Sequence, residues 1–114
     1  MPNAVATKSM EFAVMIVTLS KFLRQETQEY ELVSQLLRSG TSIGANVHEA
    51  IYAQSRKEFI SKMQIALKEA SETSYWLKLM RHTEVLPEEQ YLETSLKCEK
   101  LIRILVAIVK KSKE

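Results

Sequence analysis

The sequence predicts an all-α domain, an up-and-down antiparallel four-helix bundle, and three observations carry that prediction. Only two Gly, two Pro and no Asp occur among 114 residues, which removes most of the turn chemistry a many-stranded protein needs. Apolar residues recur at steps of three and four in each long segment, the period of a helix with one buried face. The first break, Gln25-Glu26-Thr27-Gln28, is polar and short and lacks Gly and Pro, so the helices it joins run antiparallel. A chain of this length buries roughly 65% of its unfolded surface, enough for one core and one domain over residues 1–114. A hydrophobic content of 46% excludes disorder, and a single Cys excludes a disulfide scaffold.

The first helix is predicted over residues 7–25, where Phe12, Ile16, Leu19 and Leu23 share a face that Met15 and Phe22 widen. The run Phe12–Leu19 resembles a signal-peptide core. Glu11 before it, Lys21 and Arg24 after it, and the lack of a small-x-small cleavage site make it a core helix instead. The second helix is predicted over 29–53, with Val33, Leu36, Gly40, Ile43, Val47 and Ala50 at the seam spacing of a bundle. Its small-residue patch Ser39-Gly40-Thr41-Ser42, with Gly44 and Ala45, lowers helicity by about 1 kcal/mol per Gly. Close approach of a neighbouring helix at Gly40 and Gly44 offsets that cost; the alternative is a break near Gly40.

The third helix, over 56–82, opens on a capping box. The Ser55 hydroxyl accepts from the Glu58 backbone N–H while the Glu58 carboxylate reaches back to Ser55. Phe59, Met63, Ala66, Ala70, Leu77 and Met80 then hold one face, and Ile65, Trp76 and Leu79 a second. The fourth helix, over 87–111, opens with Pro87 as first helical residue and Glu88 and Glu89 at the positive end of its dipole; Lys110, Lys111 and Lys113 stand at the negative end. Between Arg103 and Lys110 every residue is apolar. A helix apolar all round is buried all round, so the surplus predicts homo-oligomerisation through this helix.

A net charge of +2 is explained by solubility. The lone Cys98 fits a buried thiol in a reducing, cytoplasmic compartment, and no stretch approaches the ~20 apolar residues that cross a bilayer. A di-iron bundle needs Glu-x-x-His pairs, but Ala45 precedes His48 and Leu79 precedes His82 by three positions. No nucleophile elbow or phosphate-binding Gly loop is present, so the reading is non-enzymatic, with no metal and no cofactor. Arg38, Ser42, Asn46 and Glu49 lie on one face of the second helix. Their structural reading, Ser42 and Asn46 filling a close crossing and Glu49 paired to the third helix, is favoured over a recognition stripe. For nucleic acid the candidate residues are Lys97, Lys100 and Arg103, then Lys110, Lys111 and Lys113, with a second group at Arg56, Lys57 and Lys62. In one copy these read as a solvated face; assembly multiplies them into a multivalent surface for phosphates.

The stretches Thr41-Ser42-Ile43-Gly44-Ala45-Asn46-Val47-His48-Glu49-Ala50, Gln54-Ser55-Arg56-Lys57-Glu58-Phe59-Ile60, Ile65–Ala70 and Tyr75-Trp76-Leu77 together carry a family resemblance. The chain resembles the four-helix-bundle proteins named after 23S rRNA intervening sequences, which are similar in turn to the accessory protein of diversity-generating retroelements. Ala50 stands where many members have Gly, and Lys68 and Glu69 where they have Gly-Ser. The resemblance implies a left-handed up-and-down bundle assembled as a homopentameric ring, with a non-enzymatic role. It gives structural roles to Ser42, Asn46, Glu49, Ser55 and Glu58. The expected function is a nucleic-acid-associated accessory or scaffold protein; the alternative is a protein-interaction module without nucleic-acid affinity.

Overall fold

A computed structural model describes residues 2–114 as four helices: α1 (Pro2–Glu26), α2 (Tyr30–Ile51), α3 (Arg56–His82) and α4 (Glu88–Ser112). Each packs on its neighbour in the chain, α1 also meets α4, and the diagonal pairs stay apart across the core. The bundle measures 44 × 19 × 19 Å, about one helix long, since 25 residues at 1.5 Å rise span about 38 Å.

α1 begins five residues before the predicted start because Val5, seven positions before Phe12, adds one more buried turn to the same face. The predicted seam of α2, Val33 to Ala50, is buried throughout. The helix runs through Gly40 without a break and ends at Ile51, two residues short of the expected 53. A Cβ on Gly40 would stand 2.8 Å from Ile16 Cγ1, and one on Gly44 would stand 3.3 Å from the Ser9 carbonyl oxygen. Gly40 therefore lets α1 lie closer than a Cβ allows, and Gly44 makes a crossing tighter than an ordinary Cβ contact, which offsets their low helicity.

At the start of α3 the Glu58 N–H donates to Ser55 Oγ at 3.0 Å. The reciprocal half differs from expectation: Glu58 Oε1 accepts from the Gln54 N–H, not from Ser55. α3 ends in a Schellman turn, with Val85 N–H donating to the Met80 carbonyl at 2.8 Å and Glu84 N–H to that of Arg81 at 3.1 Å. Glu84 adopts φ 60 there, where Gly is the usual residue. Pro87 is the N-cap of α4 rather than its first helical residue. At the other end, the Arg56 guanidinium donates twice, at 2.7 and 3.0 Å, to the Ser112 carbonyl, tying the first turn of α3 to the last of α4.

Ile16, Leu23, Leu36, Ile43, Met63, Leu77 and Leu105 fill the core without solvent exposure beyond 1%. Two buried hydrogen bonds join helices within it among the described residues, 2.9 Å between the hydroxyls of Thr73 and Ser39 and 3.4 Å from Cys98 Sγ to the Ala70 carbonyl. Phe22, expected to widen the apolar face of α1, and Ile65, expected on the second face of α3, are 36% and 37% exposed, while Trp76 and Leu79 are half-buried. In α4, Leu101, Leu105 and Val109 are buried, and Ile102, Ile104 and Ile108 pack against the core edge. The apolar surface it leaves outside is Leu92, Leu96 and Val106, with Ala107.

Candidate nucleic-acid interface

α1 and α4, the two ends of the chain, touch less than any other neighbouring pair. A groove of about 310 Å³ lies between them. Lys8, Glu11 and Met15 line it from α1 at steps of three and four, and Lys97, Lys100, Arg103 and Ile104 from α4. Phe12 and Leu101 close its floor from the core. The groove thus carries four cations against one carboxylate, and among the described residues none of the four enters a salt bridge. Uncompensated cations converging on a concave surface attract anions more strongly than the same charges spread apart.

Of the residues named from sequence, Lys97, Lys100 and Arg103 meet in this groove. Lys8, which completes the set, was not among them. Its signal was present: Lys8 lies four positions before Phe12 on the flank of the α1 core face. Lys110, Lys111 and Lys113 are exposed at the end of α4, outside the groove lining, where they meet the negative end of the helix dipole. The second group disperses. Arg56 is spent on the Ser112 carbonyl, and Lys62 Nζ lies 2.7 Å from Glu49 Oε1. Lys57 remains exposed and enters no salt bridge among the described residues.

The polar row on α2 is divided among local tasks. Arg38 reaches α3 and pairs with Glu69 at 3.2 Å and with Glu72. Glu72 also accepts from Trp76 Nε1 at 2.9 Å. The indole hydrogen bond first, and Arg38 second, hold its carboxyl below the ordinary carboxylate value. Glu49 is likewise lowered by its hydrogen bond and ion pair with Lys62. Ser42 and Asn46, expected at a close crossing, instead donate to carbonyls of their own helix, Arg38 at 2.6 Å and Ser42 at 2.9 Å. Gly40 and Gly44 make the crossing. Burial pushes the Cys98 thiol up to about 12, so it stays protonated and unreactive at neutral pH. His48 meets Tyr52 in a tilted arrangement with ring centroids 5.2 Å apart, and His82 Nδ1 lies 2.8 Å from the Lys78 carbonyl oxygen. Among the described residues no group of three metal-ligating side chains converges, and no helix is long and apolar enough to cross a membrane.

The other flank of α1 carries a second hollow, about 460 Å³, against α2. Small residues, Ala6, Ser9, Ala13, Gly44 and Ala45, make half of its lining, and Met10, Thr41, Val47, His48 and Glu49 the rest. Met10 is 64% exposed and Val14 58%, and Val17 continues the row.

A family model described as 23S rRNA-intervening sequence protein matches residues 2–107. A crystal structure of a protein of unknown function from the S23 ribosomal protein family of Bacteroides thetaiotaomicron is 51% identical, covering 96% of this chain and 97% of that one, with a TM-score of 0.93. No curated protein matches the chain.

Proposed function

The chain belongs to the 23S rRNA-intervening sequence protein family, and from that premise we propose that it is a non-enzymatic, cytoplasmic accessory or scaffold protein that assembles into a homo-oligomeric ring, a pentamer, and associates with RNA. The observation that carries the reading is the convergence of Lys8, Lys97, Lys100 and Arg103 on one groove without salt-bridge partners. Such a site binds phosphates through charge and shape, and it offers no exposed aromatic pair on which bases would stack. One groove is a weak site; several on one ring act together.

Fluorescence anisotropy of a structured ribosomal RNA hairpin tests this, with assembled mass read by light scattering in the same sample. Four phosphate contacts per groove predict that affinity falls about a hundredfold between about 50 and about 200 mM salt. Absence of binding at the lower salt by an intact oligomer contradicts the RNA reading. A monomer at micromolar concentration contradicts the ring.

The small-residue hollow and the exposed row Met10, Val14 and Val17 favour a second reading, a protein-interaction module that binds no nucleic acid. Steps of four and three along one helix are the spacing with which a partner helix packs. Under that reading the same titration is flat at every salt concentration.

A further inference from the structure

RNA phosphates account for the cations of the α1–α4 groove and leave its floor unexplained. Phosphate binding needs charge alone, yet Met15, Leu101 and Ile104, beside Phe12, form a concave aliphatic floor beneath the four cations. No hydroxyl or amide side chain lines the groove, so its polar contacts come from the four cations and Glu11 alone. Along α4 the lining runs from Lys97 to Ile104, about 10 Å at the helical rise. The volume of about 310 Å³ is at the small end of ligand pockets.

We propose that this groove binds a medium-chain aliphatic carboxylate, the chain lying on Met15, Leu101 and Ile104 and the carboxylate held by the surrounding Lys and Arg. Charge complementarity selects the anion, since four cations face a single acid, Glu11. The aliphatic floor and its length select a chain over a ring, and Met15 supplies a flexible wall that adapts to it. The inference stands without the RNA reading: the two ligands share cations and compete, but either can bind if the other does not.

Isothermal titration calorimetry of the full chain with hexanoate, octanoate, decanoate and dodecanoate, each below its micelle concentration, tests the proposal. The expected result is one site per chain with affinity rising about fourfold per methylene, flattening once the chain outgrows the groove. Decanol, which lacks the charge, binds at least about tenfold more weakly than decanoate, consistent with a charge-assisted contact. The double variant Lys97→Gln, Lys100→Gln, altered only at exposed positions and checked by its melting curve, loses about tenfold for decanoate. The proposal is overturned by no heat of binding for any chain length, by affinity independent of chain length, or by an unchanged affinity in the folded double variant. Tighter binding of a nucleoside monophosphate than of decanoate overturns it as well, because the floor would then be serving a base.

Discussion

The two flanks of α1 are both hollow, for opposite reasons. Against α2 the depression exists because side chains are missing: Ala6, Ser9, Ala13, Gly44 and Ala45 are too small to fill it. Against α4 it exists because long side chains stand at its edge, Lys8, Lys97, Lys100 and Arg103, and hold the helices' flanks in water. The first hollow carries one carboxylate, Glu49, which is paired with Lys62, and continues into an exposed apolar row; the second gathers four cations outside any described salt bridge. The contrast teaches that a depression is defined by what lines it. Small residues invite another helix to pack closely, whereas snorkelling cations invite an anion. One helix thus separates a surface suited to assembly from a surface suited to ligand.

Substitutions on each flank should have separable consequences. The largest effect on folding belongs to the residue packed against Gly40. Ile16 is fully buried beneath Gly40, and Ile16→Ala should lower stability by about 3 kcal/mol in urea denaturation. Met15→Ala, one position away in the cationic groove, should cost about 1 kcal/mol, since that side chain is only partly buried. Equal losses would erase the distinction between the flanks.

Gly40→Ala comes next. It gains about 1 kcal/mol of helix propensity and loses more to overpacking, because the new Cβ meets the branched Cγ atoms of Ile16 at 2.8 and 2.9 Å. The net loss should be about 1 kcal/mol. In the Ile16→Ala background the obstruction is gone, so Gly40→Ala should become stabilising, a change of sign that a double-mutant cycle reads directly. Additive behaviour would show that the glycine is not there for close approach.

On the small-residue flank, Ala45→Glu alters an exposed position and should leave the melting temperature almost unchanged; if the proposed ring is joined there, it reduces the assembled mass in light scattering. Retained mass would place the subunit contact elsewhere, with Leu92, Leu96 and Val106 of α4 the next surface to alter. One substitution should give a gain. Ser20 Oγ is buried with no hydrogen-bond partner, so Ser20→Ala removes an unsatisfied polar group and should raise stability by about 1 kcal/mol. A loss would reveal a hydrogen bond to that hydroxyl.

Much of the scaffold was legible in the sequence because it depends on local periodicity. The seam from Val33 to Ala50, the Ser55 cap and the span of α3 each follow from residues within a few turns of one another. The Schellman turn at Glu84 was not legible, since its usual marker, Gly, is absent. The Arg56 bond to Ser112 and the Ser39–Thr73 contact join residues on different helices, and no spacing within either helix encodes the pairing. The groove was half-legible for the same reason. Lys97, Lys100 and Arg103 announce themselves by steps of three, but Lys8 joins them only once the first and last helices are seen to be neighbours. The dispersal of Arg56 and Lys62 likewise required knowing that an acceptor stands opposite each.

The central claim is that anions are held at one flank of α1 by charge gathered there rather than by the net charge of the chain. It is tested most directly by comparing two triple variants in the RNA anisotropy assay: Lys97→Gln, Lys100→Gln, Arg103→Gln in the groove, and Lys21→Gln, Lys68→Gln, Lys78→Gln at exposed positions outside its lining. Both remove the same charge. The account predicts that the groove variant loses at least about tenfold in affinity, with the salt slope reduced by about three, while the control stays within about threefold of the parent. Equal losses in the two variants would contradict it, leaving a diffuse electrostatic attraction with no site.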